Sequence, residues 1–435
     1  MSACQHGWPS ARGVTITGTD ATGYRKALEV LHDCGSEHGF LASPTRLTNY
    51  NRVWSRDGTI ISLAALTTGD EHLIDCSRRT FETLASHQGP HGEIPSNVDP
   101  DTDRVSYGGT AGRVDADLWF IVGCAEHWRA TGDDDFLDRM LPAIERAMFL
   151  LGAWEFNDRG LLYVPLTGDW ADEYIQHGYV LYDQVLYHQA LVAVGAIHRH
   201  VHESDDHTLR ERVMRLHHLI RSNYWFGPET DDPMPYAYHE ALYRKGREAA
   251  PMREGRYWMP YFGPAGYGYR FDAFANVLVS LLGIADDDQR AAVDRFVFDE
   301  LLDADMPVLP AFHPVIEPVD GEAWKELQMS FSYTFRNRPY EYHNGGLWPL
   351  ISGFQVADLA ARGEAERAAA VLAGIHAANA LPSEDRDEWS FPEFVHGRDH
   401  TAGGTVPQGW SAAAAVMGTH ALEGSDVFRV TAADR

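Results

Sequence analysis

The sequence predicts an all-α chain folded as an (α/α)6 barrel, six helical hairpins closed into one ring. Three observations carry that expectation. Apolar residues recur with helical period through twelve segments, whereas β-patterns are few and short. The segments come in pairs joined by tight links, and long loops separate the pairs. Within a pair the first segment is the more apolar, as expected if it lies inside the ring and its partner outside.

In order, the periodic segments fall near 20–37, 57–67, 69–87, 114–131, 133–155, 179–203, 206–223, 269–284, 286–303, 344–362, 363–380 and 406–423. The links "TTGDE" (67–71), "ATGDDD" (130–135) and "GIADDD" (283–288) read as tight turns. "DADLWFIVGCAEHW" (115–128) and "GGLWPLISGFQVADLAA" (345–361) are apolar nearly all round, which predicts burial on every side. Their successors, "DDDFLDRMLPAIERAMFLL" (133–151) and "GEAERAAAVLAGIHAAN" (363–379), keep a polar face. An open solenoid of helix pairs would show a regular period, and these loops vary too much in length for one. No linker-like stretch interrupts the series. Residues 1–435 therefore read as one domain, with a lead-in over 1–19 and a tail over 424–435.

The formal net charge is −27, and Lys26, Lys245 and Lys325 are the only lysines. A chain this acidic should be repelled by nucleic acid and by anionic membranes. With 11% aromatic residues it is not a disordered acidic chain. Two explanations of the charge remain, a GC-rich genome and adaptation to salt. No run approaches the roughly 18 apolar residues of a membrane span. The start, "MSACQHGWPSARG", lacks the basic-then-apolar order of a secretory signal. Cys4, Cys34, Cys76 and Cys124 show neither metal-ligand nor redox spacing, so a cytoplasmic location is expected.

The long loops hold the chemistry. Each precedes an inner helix, so all six should open on one end of the ring. They carry "NYNRVWSRDG" (49–58), "HGEIPSNVDP…GRVDAD" (91–117), "GDWADEY" (168–174), "YFGPAGYGYRFD" (261–272), "RPYEYHNGGLWP" (338–349) and "EWSFPEFVHGRD…VPQGWS" (388–411). Aromatic faces stack on sugar rings and carboxylates bind hydroxyls, so these contents suit a small carbohydrate. Histidines 188, 198, 200 and 202 face several sides of one helix and form no ligand cluster. There is no phosphate-binding glycine loop, no nucleophilic Ser or Cys arrangement and no metal motif, so no cofactor is expected.

On these loops the chain resembles the inverting (α/α)6-barrel glycoside hydrolases, most of all the neutral/alkaline invertases. More distantly it is similar to the mannosylglycerate/glucosylglycerate hydrolases and processing α-glucosidases. The resemblance runs from about 49 to 412 and keeps the motif order. "WSRDG" resembles the Arg-Asp motif that holds the first sugar, and "VDADLWFI", "YRFDAFAN" and "YHNGGLWP" have counterparts. "GDWADEYIQHG" matches the position of the general acid and "FPEFVHG" that of the general base. The resemblance thus implies Asp172 as acid and Glu393 as base. The chain departs from the invertases after the acid, where they carry basic residues and it has Glu173 and Tyr174, and again at Asp183, where they carry glutamate. Those positions contact substrate in the family, which puts sucrose specificity in question.

Glycoside cleavage needs one carboxyl that donates a proton and one that activates water. Asp172 and Glu393 precede the sixth and twelfth helices, which face each other across the ring, as inversion requires. Trp170 and Tyr174 flank Asp172, an apolar setting that would help it hold a proton. Asp169 competes for that role, or bonds loop backbone as Asp does in turns. Asp57 either accepts bonds from sugar hydroxyls, steadied by Arg56, or caps a helix beginning at Gly58. Asp115 and Asp117 open an apolar helix, where acids also complement the helix dipole; Asp115 fits the motif better. His343 and Asn344 precede two glycines that permit close backbone approach. Trp119, Trp170, Trp348 and Trp410 are candidate substrate contacts, against the alternative of core packing. The expected activity is hydrolysis of a small α-glucoside, sucrose or a compatible solute such as glucosylglycerate. An exo-acting α-glucosidase or debranching enzyme, a sugar epimerase and a sugar-binding regulator are the alternatives.

Overall fold

Short Gly-Asp links set the helix boundaries. At 68–70 and 131–133 the glycines, Gly69 and Gly132, sit at φ 69° and end a helix in the left-handed conformation. The aspartate that follows starts the next helix. Asp70 accepts from the backbone N–H of His72 and Leu73, and Asp133 from that of Phe136. Asp206 and Asp286 cap later helices in the same way. The computed structural model describes residues 19–46, 49–203, 206–227, 236–248, 255–330 and 334–430. The lead-in read at 1–19 lies outside these residues but for Thr19.

The helices are α1 (Thr19–Cys34), α2 (Ser55–Thr68), α3 (Glu71–Ser86), α4 (Val114–Thr131), α5 (Asp134–Ala153), α6 (Leu181–His202), α7 (His207–Tyr224), α8 (Glu240–Glu248), α9 (Ala273–Leu281), α10 (Asp287–Arg295), α11 (Glu322–Met329), α12 (Pro349–Ala361), α13 (Ala365–Asn379) and α14 (Gly409–Leu422). Every segment with the helical period is a helix. Two short helices, α8 and α11, lie where loop was read; both are mostly exposed and too short to show a period. The fourth pair is shorter than read, and α10 runs into a π-helical stretch, Phe296–Leu301.

Six helices are apolar nearly all round and buried along almost their whole length: α2, α4, α6, α9, α12 and α14. Burial of that surface, at about 25 cal/mol per Å², is the main stabilising term. These six pack in circuit, α2 on α4, α4 on α6, α6 on α9, α9 on α12, α12 on α14, and α14 back on α2. Outer helices lie behind them: α3 on α2, α5 on α4, α7 on α6, α13 on α12 and α14, and α1 on α14. Around α10 the packing opens into a cavity of about 660 Å³ among α9, α10, α12 and α13, at the end of the tight links. Of the segment read as a tail, 431–435 lie outside the described residues; the rest is docked, because Arg429 and Val430 donate backbone N–H bonds to the Glu126 carboxylate of α4.

At the other end a backbone collar ties the long loops together. Val53–Trp54 pairs antiparallel with Asn97–Asp99, Tyr179–Val180 with Tyr261–Gly263, and Phe271–Asp272 with Phe312–His313. Leu347 bridges Val395, Val114 N donates to Gly168 O at 2.8 Å, and Gly409 N donates to Ala42 O at 2.8 Å. Each loop is thereby bonded to the next. No helix of the described residues is long and apolar enough to cross a membrane.

Candidate active site

Side chains from the loops meet inside the collar. Helix α2 starts at Ser55, so Asp57 lies in its first turn and is not the cap of a helix beginning at Gly58. Arg56 Nη1 donates to Asp115 Oδ2 at 2.7 Å, and Tyr182 Oη donates to the same oxygen at 3.2 Å. Trp119 Nε1 supports that hydroxyl at 2.7 Å. Asp57 is fully buried; its Oδ1 accepts from Gln408 Nε2 at 3.1 Å and its Oδ2 has no protein partner. Burial pushes the Asp57 carboxyl up to about 7, with Arg56 opposing. A buried carboxylate oxygen with no partner is costly unless a ligand supplies one.

Glu393 is buried on the loop before α14. Tyr50 Oη donates to its Oε1 at 2.6 Å and Thr405 N to its Oε2 at 2.9 Å, so both oxygens are oriented. Burial raises its pKa; the two donors and Arg336 oppose the rise, and the charge of Asp172 adds to it. The carboxylates on the third and sixth loops therefore share one field.

The three acids of "GDWADEY" separate cleanly. Asp169 is fully buried and holds the loop in shape, accepting from Ala171 N at 2.9 Å and Gln176 Nε2 at 2.7 Å. Gln176 also reaches Asp272, the N-cap of α9, at 3.4 Å. Burial pushes Asp169 and Asp272 each up to about 7. Asp172 is bound to Arg113 Nη2 at 2.6 Å and its side chain is 23% exposed. The burial expected of Asp172 is found at Asp169 and Glu173 instead. Trp170 and Tyr174 pack on Phe312, with ring centroids 5.9 and 4.1 Å distant.

Other expectations are corrected. Trp119 and Trp348 have no exposed surface, so they support the wall rather than offer a face to a sugar. Trp170 and Trp410 are nearly buried, but each leaves its indole N–H without a partner. Asn344 is occupied by the loop itself, bonding Ile316 N and O and the Asn337 carbonyl. Asp183 has no accessible surface and neither of its oxygens is bonded, so like Asp57 it keeps buried carboxyl oxygens without a protein partner. Burial pushes its pKa well up, with Asp169, Asp115 and Asp272 adding. His343 is buried against Trp170, ring centroids 5.0 Å apart, and burial lowers its pKa to about 3. Asp117 bonds Ile94 N and is not part of this network.

Sequence reasoning missed Tyr50, Arg113, Gln408, Tyr342 and Arg336. The Arg336 guanidinium stands over the Tyr342 ring, 5.4 Å from its centroid. Only their place in the long loops could have pointed to them. Among the described residues no group of three His, Cys, Asp or Glu is arranged to hold a metal ion.

Residues 238–424 match the family described as alkaline and neutral invertase. An alkaline/neutral invertase E, chloroplastic, of Arabidopsis thaliana is 26% identical over 375 residues, covering 74% of this chain and 59% of that protein. A neutral/alkaline invertase 3, chloroplastic, of Oryza sativa subsp. japonica is 24% identical, covering 74% of this chain and 60% of that protein. The chain thus spans about three fifths of the length of these curated relatives. Among solved structures, a bacterial glucoamylase complexed with acarbose superposes with TM-score 0.63 at 15% identity, over 95% of this chain and 57% of that one. A mannosylglycerate hydrolase from Thermus thermophilus superposes with TM-score 0.57 at 14% identity, over 91% of this chain and 99% of that one. The mostly helical fold is shared with these glycosidases, and in sequence the chain resembles the neutral/alkaline invertases.

Proposed function

We propose that the packing circuit is an (α/α)6 barrel forming one domain, and that the chain is an inverting glycoside hydrolase acting on a small α-glucoside. One observation carries the mechanism. The loops before α6 and α14, three steps apart in the circuit either way, bring Asp172 and Glu393 into one mouth, where the charge of one acts on the other. Asp172 donates its proton to the glycosidic oxygen as the bond to the anomeric carbon breaks. Glu393, held by Tyr50 and Thr405, takes a proton from the water that attacks that carbon from the opposite face. Asp57, through its unpartnered Oδ2, accepts a sugar hydroxyl. The Arg56–Asp115 pair fixes the neighbouring wall.

The named relatives suggest sucrose, and the structural neighbours suggest a glucoside or a glycerate-bearing solute. An exo-acting α-glucosidase on oligosaccharides is the main alternative within hydrolysis. The His343 environment speaks against an epimerase, since a histidine whose pKa is lowered to about 3 exchanges protons poorly near neutrality. The test is a hydrolysis screen on sucrose, trehalose, glucosylglycerate, mannosylglycerate and maltose, with proton NMR of the anomer first released. β-Glucose from an α-glucoside is the expected product. First release of the α-anomer would overturn inversion, and an epimerised sugar with no bond cleaved would overturn hydrolysis.

A further inference from the structure

A general acid works on the leaving-group side of the glycosidic bond, so whatever holds Asp172 also borders the aglycone. Arg113 holds it. Its Nη2 donates to Asp172 Oδ2 at 2.6 Å, and its Nη1 donates to the Thr167 carbonyl and, at 3.4 Å, to that of Gly112. The guanidinium is nevertheless short of acceptors. Nη2 carries two hydrogens and bonds one oxygen, and Nε is buried with no partner. A buried donor without an acceptor is costly until a ligand supplies one. Asp172 Oδ1 has no protein partner among the described residues, so it is the oxygen open to the glycosidic bond.

A second arginine adjoins the acid loop. Asn337 Nδ2 clamps the Glu173 carbonyl, as Ser330 Oγ does at 2.8 Å. Next to Asn337, Arg336 is exposed, lies 5.4 Å over the Tyr342 ring and makes no ion pair among the described residues. In a chain of formal charge −27, acids to pair with it are not scarce. Cationic N–H groups are thus left over beside the acid, where a neutral sugar such as sucrose would bring no charge.

We propose that Arg113 determines specificity, selecting α-glucosides whose leaving group carries a carboxylate on the carbon bonded to the glycosidic oxygen, a 2-hydroxy acid such as glycerate. The inference rests on the reading of Asp172 as general acid and narrows its substrate class. Two hydrogen bonds through Asp172 put the leaving oxygen within about 5–7 Å of Arg113 Nη2. A carboxylate on the adjoining carbon extends into that gap and meets Nη2 and Nε. The proton chemistry favours the same substrate. A cation bonded to a carboxyl favours its ionised form, whereas a general acid must be protonated. When the substrate carboxylate takes up Arg113, its charge offsets the guanidinium, and Asp172 gains a proton from solvent. Asp172 passes that proton to the leaving oxygen as the bond to the anomeric carbon breaks. The hydroxy acid departs as an anion, and Arg113 returns to the ionised Asp172. A neutral aglycone leaves the ion pair in place and the acid ionised.

The test is the ratio of kcat/KM on 2-O-α-glucosylglycerate to that on 2-O-α-glucosylglycerol, which differ only in a carboxylate against a hydroxymethyl group. A folding defect lowers both values equally and leaves the ratio alone. Wild type should prefer the glycerate by about 10- to 100-fold, the worth of a charge-assisted hydrogen bond. Arg113→Gln should bring the ratio to within about threefold of one, and Arg113→Lys, which keeps charge without the fork, should retain part of it. Arg336→Gln removes a mouth cation that does not bond Asp172 and should cost less of the ratio. In wild type, D-glycerate should inhibit at a concentration at least about tenfold lower than glycerol. A wild-type ratio near one, a ratio that survives Arg113→Gln, or an equal loss in Arg336→Gln would overturn the proposal. Hydrolysis of sucrose or maltose with a ratio near one would overturn it and leave the hydrolase reading intact. A wild type inert on every glycoside removes the hydrolase reading and this inference with it, a result distinct from the others.

Discussion

The two ends of the helix circuit treat buried charge in opposite ways. At the tight-link end the cavity is lined by arginines and acids that satisfy one another. Arg362 reaches Asp294 through two nitrogens at 2.8 and 3.0 Å and Asp358 at 2.9 Å, and Ser280 Oγ donates to Asp358 at 2.7 Å. At the long-loop end Asp57, Glu173 and Asp183 each leave a buried carboxyl oxygen without a partner. A paired buried charge is neutral or weakly favourable for stability, whereas an unpaired one is expensive. The difference teaches where function lies: a cavity with balanced charge is architecture, and unbalanced buried carboxyls on the loops are chemistry.

The largest expected effect lies at the loop end. Asp172→Asn and Glu393→Gln should each keep the fold and lose about 10²–10⁴-fold in kcat. Asp169→Asn should lose much less, because its oxygens hold loop and not substrate. Turnover with separately measured binding decides; a dead Asp169→Asn beside an active Asp172→Asn would move the acid across Trp170. The tight-link end should respond in stability alone. Arg362→Met strands Asp294 and Asp358 and should cost roughly 3 kcal/mol. Thermal unfolding would show it, with kcat per folded molecule unchanged; a matching loss of kcat would mean the ends are coupled.

A third, smaller effect follows from titration. Asp169 and Asp272 titrate near 7 in the fold and near 3.9 unfolded. Between those values the folded state binds more protons than the unfolded one, so stability should fall as pH rises from about 4 to 7. Asp183→Asn removes a carboxyl that repels Asp169. It should therefore raise the Tm at pH 8 and change it little at pH 4.5. An equal loss at both values would show that Asp183 makes a contact the fold needs. Weakest is the salt effect: if the net charge of −27 reflects salt adaptation, the Tm should climb toward molar salt as repulsion is screened. A flat response would leave genome composition as the explanation.

The helices were readable because α4, α12 and α14 are apolar all round and the Gly-Asp links announce their neighbours. The collar was not, since strands of two or three residues have no period to detect. Asp172 and Glu393 could be picked out by resemblance, but their surroundings could not. Tyr50 is 343 residues from the glutamate it orients, and Arg113 is 59 from Asp172. Chain neighbours misled at the acid loop, because Trp170 and Tyr174 are buried on Phe312 while Asp172 between them is ion-paired and partly exposed. The tryptophans misled for a related reason, since composition does not reveal which side of a wall a ring occupies.

Tyr24 of α1 bonds His420 of α14 across 396 residues, and α14 is also the helix that meets α2. The circuit therefore waits for nearly the whole chain to be synthesised before it closes. Until then the acid loop stands without the wall that carries Glu393, and the apolar flanks of α2 and α12 have nothing to cover them. A nascent chain in that condition is an adhesive half-ring. Late folding intermediates of this protein should depend on chaperones far more than its finished stability would suggest.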